Sequence, residues 1–278
     1  MGVLMSCRNA KQQKPDSMID DILEYNGKFV AAEGYTPFVT DKYPSMKLAV
    51  LTCMDCRLTE LLPRALGLRN GDAKLIKNAG GLVLSLTDSA IRSILVAVYE
   101  LGVKEVMVVH HSSCGACHMS FGEFLPLMKA RGISDGAIGC MREAGVDLDR
   151  WLDGFHDTGA SVRRTVANIV GHPLMPQDVS VRGFVIDSTT GRLTEVPDDS
   201  TARVMDMEER FERVRSARAA GTLSEVRADI AALDGYMASG LWKEDFELDE
   251  AGHFPSGLKR GVLSEDALYD LLMQVASE

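Results

Sequence analysis

The sequence predicts an α/β fold: a mostly parallel central β-sheet flanked by helices, with a small all-α domain appended at the C-terminus. Three observations point to it. Residues 48–51 and 106–109 are short continuous apolar runs, the mark of strands covered on both faces. Segments with apolar residues at helical spacing separate these runs, and strands joined by helices of that length imply right-handed crossovers in a parallel sheet. Past Pro197-Asp198-Asp199-Ser200 the pattern is helical and the charge balance changes. Residues 197–278 carry 9 basic and 18 acidic side chains, most of the net charge of −10 of the 278-residue chain.

Taken in order, residues 1–16 read as a flexible leader. Met1, Gly2 and Ser6 meet a myristoylation pattern with Cys7 beside it, but the pattern is short enough to arise by chance. Residues 17–32 place Met18, Ile19, Ile22, Leu23, Phe29 and Val30 near helical spacing, with Ser17 as N-cap and Asp20 and Asp21 at the positive end of the dipole. A strand over 48–51 leads to a helix over 59–66 that ends near Gly67. A second strand over 74–77 runs into the turn Asn78-Ala79-Gly80-Gly81. Residues 89–101 carry Ile91, Ile94, Leu95, Val98 and Leu101 on one helical face, closed by Gly102. A third strand over 106–109 should end before His111. Helices fill 119–171, stopped at Gly171-His172-Pro173, and a fourth strand over 179–186 turns at 189–192 into residues 193–196, an antiparallel edge.

In the acidic tail, Val204, Met207, Phe211 and Val214 have a/d-like spacing. Thr222 and Glu225 predict a capping box before Val226, Ile230 and Leu233, and Ser264 caps a last helix with Leu268, Leu271, Leu272 and Val275 inward. The domains are therefore expected at 17–196 and 201–278.

Composition narrows the function classes. At 46% hydrophobic and 25% charged the chain is not a disordered one. No apolar run approaches the ~18 residues that cross a bilayer. The acidic tail argues against a phosphate-backbone partner, so nucleic acid is not expected. The opening residues lack the apolar core of a secretory signal, and the six cysteines read as reduced thiols of a cytoplasmic protein.

Four of those cysteines cluster. Cys53 ends the first strand, and His111 and Cys114 follow the third. In open α/β sheets ligands gather at the carboxyl ends of strands, so these three donors should meet. Two thiolates and an imidazole suit zinc, and three protein ligands leave a fourth position for water, as in a catalytic site. Two other readings stay open: a closed four-cysteine site from Cys53-x-x-Cys56 and Cys114-x-x-Cys117, and a redox dithiol. Asp55 and Arg57 read as a surface ion pair or, beside a metal, as a carboxylate that orients bound hydroxide while the arginine keeps it off the metal. His110, on the opposite strand face, and His118 read as structural or as a proton relay.

The segments Thr52-Cys53-Met54-Asp55-Cys56-Arg57-Leu58, Lys77-Asn78-Ala79-Gly80 and His111-Ser112-Ser113-Cys114-Gly115 resemble the β-class carbonic anhydrases, in wording the short Gram-positive and methanogen type. The resemblance extends to His172-Pro173-Leu174, to Val181-Arg182-Gly183 and to Ile186-Asp187. It implies Zn2+ held by Cys53, His111 and Cys114, with Asp55 and Arg57 as the catalytic dyad. It also implies hydration of CO2 to bicarbonate and a proton by zinc-bound hydroxide, a pocket bordered by the backbone of 78–81, and a homodimer or higher homo-oligomer embraced by the first helix. Cys56 and Cys117 depart from the family pattern. The alternatives are hydrolysis of carbonyl sulfide or carbon disulfide on the same fold, and a non-catalytic zinc- or redox-responsive interaction protein. Residues 203–275 resemble a small uncharacterised bacterial domain family. Trp242, Lys259 and Arg260 there form either a protein-partner surface or a packed tryptophan with solvated charges.

Overall fold

The computed structural model describes residues 17–276, so the leader and its myristoylation-like start lie outside the described residues. The chain divides into two compact units between Tyr43 and Pro44.

The first unit holds α1 (Met18–Ala31). The Ser17 side chain accepts a hydrogen bond from the Ile19 backbone N–H, and Asp20 and Asp21 occupy the first turn, as a helix N-terminus favours. No residue of α1 is buried, and Met18, Ile19, Ile22 and Leu23 are each at least 60% exposed.

The second unit opens with β1 (Leu48–Cys53), α2 (Leu58–Ala65), β2 (Ala73–Asn78), α3 (Ser89–Tyr99) and β3 (Glu105–His111). Four helices follow: α4 (Phe121–Ala130), α5 (Asp135–Glu143), α6 (Leu148–Trp151) and α7 (Thr158–Val170). Then come β4 (Ser180–Ile186) and β5 (Leu193–Val196), and after them α8 (Asp199–Ala220), α9 (Arg227–Ala238), α10 (Leu241–Glu250) and α11 (Glu265–Ala276). The sheet order is β2-β1-β3-β4-β5, parallel except for the antiparallel β4–β5 edge. Alternate residues of β1 enter opposite cores: Leu48 and Val50 one, Ala49 and Leu51 the other. This double cover explains the unbroken apolar runs. β3 continues beyond the expected end, because β4 extends its ladder as far as the pair His111–Ile186.

The tail residues build a third core around Val204, Phe211, Val214, Leu233, Tyr236 and Leu268. Asp245 is fully buried in it, but paired: Arg203 Nε donates to it at 2.7 Å and the Tyr236 hydroxyl at 2.7 Å. A buried carboxylate persists only with such partners. Burial, with Asp245 as neighbour, pushes the Tyr236 phenol far up. Trp242 Nε1 donates to the Val262 carbonyl at 2.9 Å and its ring stacks on Phe246, while Arg260 pairs with Asp249. Trp242 and Arg260 are thus engaged inside the tail.

One expectation fails here. The Thr222 side chain makes no cap bond, residues Leu223–Glu225 form a single 3-10 turn, and α9 starts only at Arg227. Gly221 closes α8 in the left-handed region, and the Thr222 N–H donates to the Ala217 carbonyl at 2.9 Å. Thr222 therefore ends one helix instead of opening the next. Among the described residues no helix is long and apolar enough to cross a membrane.

Candidate metal centre

β1 and β3 are adjacent central strands, and their carboxyl ends deliver Cys53 and His111 side by side. The turn after β3 brings back Cys114. The ligand atoms of Cys53, His111 and Cys114 all lie within 4.8 Å of one another, and all three residues are buried. No other group of three or more such side chains among the described residues meets that distance. Cys56 is exposed and Cys117 half-buried, and neither joins the set.

The donor set fits a metal on three counts. The two sulfurs are 3.8 Å apart, the separation that two thiolates about 2.3 Å from one tetrahedral zinc ion would have. His111 Nδ1 lies 2.9 Å from the Ser112 carbonyl oxygen, which puts its hydrogen there and leaves the Nε2 lone pair bare. That Nε2 atom is buried without a hydrogen-bond partner, a costly arrangement for a polar group that nothing ligates.

The thiols are electrostatically unequal. Burial opposes ionisation of Cys53, yet the facing His111 ring, the N–H groups of Asp55 and Gly80, and Cys114 outweigh it and bring the thiol down to about 7. Cys114 is pushed up to about 11, first by burial and then by Cys53 beside it. Its contact with Cys53 raises the His111 imidazole.

Asp55 stands beside the pocket but is held from it. Arg57 Nε donates to Oδ1 at 3.0 Å, Nη2 to Oδ2 at 2.7 Å, and the Arg57 backbone N–H to Oδ1 at 2.9 Å. These bonds hold the Asp55 carboxyl well below the usual carboxylate range. Its Oδ2 is 3.9 Å from His111 Nε2. Arg57 in turn is anchored: Nη2 donates to the Ser113 carbonyl at 2.9 Å, and Nη1 to Ser188 Oγ at 3.4 Å.

Ser188 and the role of Ser112 escaped the sequence reading. Ser188 Oγ donates to the Ser112 carbonyl at 3.1 Å, the same oxygen that faces His111 Nδ1, and the Ser188 N–H donates to Ser112 Oγ at 3.0 Å. One serine past β4 thus ties the arginine to the histidine's support. The adjacency of β3 and β4 is the signal that finds it. Ser188→Ala is expected to lower stability by about 1 kcal/mol, the worth of roughly one net hydrogen bond; thermal unfolding checks this, and an unchanged midpoint would contradict it.

The turn at residues 78–81 borders the site as expected. A Cβ on Gly81, whose φ is +72°, would sit 3.0 Å from the Thr52 carbonyl carbon and 3.2 Å from the Cys53 nitrogen. Only glycine lets this turn press on the end of β1. His110 faces away, fully buried, with Nε2 3.1 Å from the Gly81 carbonyl oxygen. Burial draws it down to about 4, so it is a neutral brace and has no surface from which to relay protons. His118 is exposed and meets His156.

With this geometry in view, comparison with known proteins is specific. The family model described as "Carbonic anhydrase" matches residues 48–193, and that of a domain of unknown function (DUF4298) matches residues 204–277. A Bacillus subtilis protein named "Putative carbonic anhydrase YvdA" is 48% identical over 178 residues, 64% of this chain and 90% of that one. A carbon disulfide hydrolase of Saccharolobus solfataricus is 30% identical over 178 residues, 60% of this chain and 83% of that one. The crystal structure of a β-carbonic anhydrase from Trichomonas vaginalis superimposes with a TM-score of 0.60 at 31% identity, covering 66% of this chain and 98% of that one.

Proposed function

Because the chain belongs to the β-class carbonic anhydrase family, we propose that it catalyses the reversible hydration of CO2 to bicarbonate and a proton at the Cys53–His111–Cys114 centre. The observation that carries this reading is a three-donor pocket with a bare, buried His111 Nε2 beside a carboxylate that Arg57 keeps engaged. Cys53, His111 and Cys114 would hold Zn2+, which supplies the Lewis acidity that lets a water lose its proton near neutral pH.

The chain's own groups do the rest. Asp55 Oδ1 is saturated by the Arg57 backbone and Nε, whereas Oδ2 takes one Arg57 N–H and keeps a lone pair. That lone pair accepts the hydrogen of the attacking water and so aims the water's own lone pair at the CO2 carbon. Arg57 holds the carboxylate plane fixed, which removes the reorganisation a free aspartate would need. Ser112 fixes the His111 tautomer through its carbonyl oxygen. The proton released leaves to buffer.

In this reading residues 17–196 form the catalytic part and residues 201–278 an acidic helical accessory domain. A reducing compartment such as the cytoplasm suits it, since both ligand thiols must stay reduced. The carbon disulfide hydrolase relative defines the competing substrate. A zinc-loaded preparation offered CO2 and carbon disulfide separately should hydrate CO2 and release no hydrogen sulfide. Release of hydrogen sulfide with no CO2 hydration would reassign the reaction.

The exposed face of α1 supports assembly into a homodimer or higher homo-oligomer. Met18, Ile19, Ile22 and Leu23 form an apolar strip along α1, which a second copy would cover. Sedimentation velocity should give a multiple of the 30.3 kDa chain mass, and the double substitution Ile22→Asp with Leu23→Asp should reduce it to the monomer. An unchanged multiple in the variant would remove α1 from the interface.

A further inference from the structure

His110 and His111 are successive residues of β3, so their side chains leave opposite faces of the sheet. His111 belongs to the donor set and His110 does not. We propose that His110 is a positioning residue of the metal centre: it holds the 79–81 turn against the Thr52–Cys53 peptide and thereby fixes where the Cys53 sulfur stands. This role presupposes the carbonic anhydrase reading of that centre.

The His110 ring makes one polar contact among the described residues. Its Nε2 lies 3.1 Å from the Gly81 carbonyl oxygen, which can only accept, so Nε2 carries the hydrogen and donates it. Its Nδ1 is buried with no hydrogen-bond partner among the described residues. An apolar side chain would fill this fully buried place without a bare lone pair, whose burial costs stability. The bond to Gly81 is what an imidazole offers here and a leucine or methionine does not. Phe155 stacks on the ring, with centroids 5.7 Å and planes 27° apart, and so restrains the direction in which Nε2 donates.

Gly81 carries that hold to the ligand. A Cβ there would meet the Thr52 carbonyl carbon at 3.0 Å and the Cys53 nitrogen at 3.2 Å, so the turn lies on the peptide bond that leads into Cys53. The same stretch of β1 is pinned from both neighbouring strands. Thr52 Oγ1 donates to the Val109 carbonyl at 2.8 Å, and the Met54 N–H donates to that of Asn78 at 2.8 Å. With the turn in place, the backbone that bears the sulfur has little room to shift.

Two more side chains hold the loop that continues from the turn. Asn78 Nδ2 donates to the Leu82 carbonyl at 2.7 Å, and Asn168 Nδ2 to that of Val83 at 2.8 Å. The successive carbonyls of Gly81, Leu82 and Val83 thus accept from β3, β2 and α7 in turn. Val83 packs in the core on the other side of the sheet from Cys53. His110 and Asn168 therefore make a matched pair: both hold one loop, but only the His110 bond bears on a ligand.

Zinc affinity of the full-length chain, measured by chelator competition, tests this. Outer partners of metal ligands are typically worth about 10–100-fold in affinity, so His110→Met, similar in length but without a donor, should bind zinc about tenfold or more weakly. His110→Gln, whose Nε2–H lies the same number of bonds from Cα, should bind it nearly as tightly as the wild type. Asn168→Leu should lose thermal stability yet keep wild-type zinc affinity, which separates an effect on the ligand from a looser loop. In the cobalt-substituted proteins the thiolate-to-metal charge-transfer band should move in His110→Met and keep its place in the other two. Gly81→Ala, which lifts the turn with His110 intact, should weaken zinc binding likewise, and it decides the matter if His110→Met does not fold. Wild-type affinity in His110→Met or Gly81→Ala, no rescue in His110→Gln, or an equal loss in Asn168→Leu would overturn this role and leave the carbonic anhydrase reading standing. A wild type that takes up no zinc would overturn both.

Discussion

Cys53→Ser and His111→Ala are each expected to empty the metal centre, from about one zinc per chain to near zero, and to abolish CO2 hydration with it. The reason lies in the donor count. Three protein atoms would hold the ion, so removing one leaves two; Cys56 and Cys117 stand apart from the set, and Arg57 keeps the nearby Asp55 carboxylate engaged. Losing only a supporting hydrogen-bond partner weakens a metal site by about 10–100-fold, so losing a ligand should cost more than about a hundredfold. Cys53→Ser is nearly isosteric, which separates metal loss from misfolding, and an unchanged circular dichroism spectrum should accompany it. A variant that retained one zinc per chain through dialysis would show that the ligand set is wrong.

The second large effect is expected at Asp55. Asp55→Ala should keep about one zinc per chain, because none of the three donors is touched, yet lower kcat by on the order of a hundredfold or more, the typical worth of a positioned proton-handling group. Asp55→Asn refines the test. It preserves the shape but puts an NH2 donor in place of one of the two acceptor oxygens, so Arg57 loses half of its bidentate contact. Metal analysis alongside stopped-flow kinetics distinguishes the role from a merely structural one. Wild-type turnover in Asp55→Ala would show that the carboxylate does not orient the attacking water.

The convergence of Cys53, His111 and Cys114 was legible in the sequence because its logic is topological. Buried strands announce themselves as apolar runs, and donors at the ends of two such runs converge wherever the strands are neighbours. The same rule places Asp55 and Arg57 in the loop after β1. It did not reveal Ser188, whose contacts depend on β4 lying beside β3 and on where the chain turns after Ile186. The capping pattern at Thr222 misleads where that at Ser17 does not: Thr222 and Glu225 have the right spacing, but the carbonyl of Ala217 claims the Thr222 N–H first. Local signals lose to a neighbouring element that satisfies the same backbone group.

Stopped-flow CO2 hydration, followed on one preparation before and after zinc is stripped and restored, tests the central claim most directly. The account predicts catalysis with about one zinc per chain, its loss on stripping and its return on adding zinc alone. A zinc-loaded protein that hydrated CO2 no faster than buffer would contradict it.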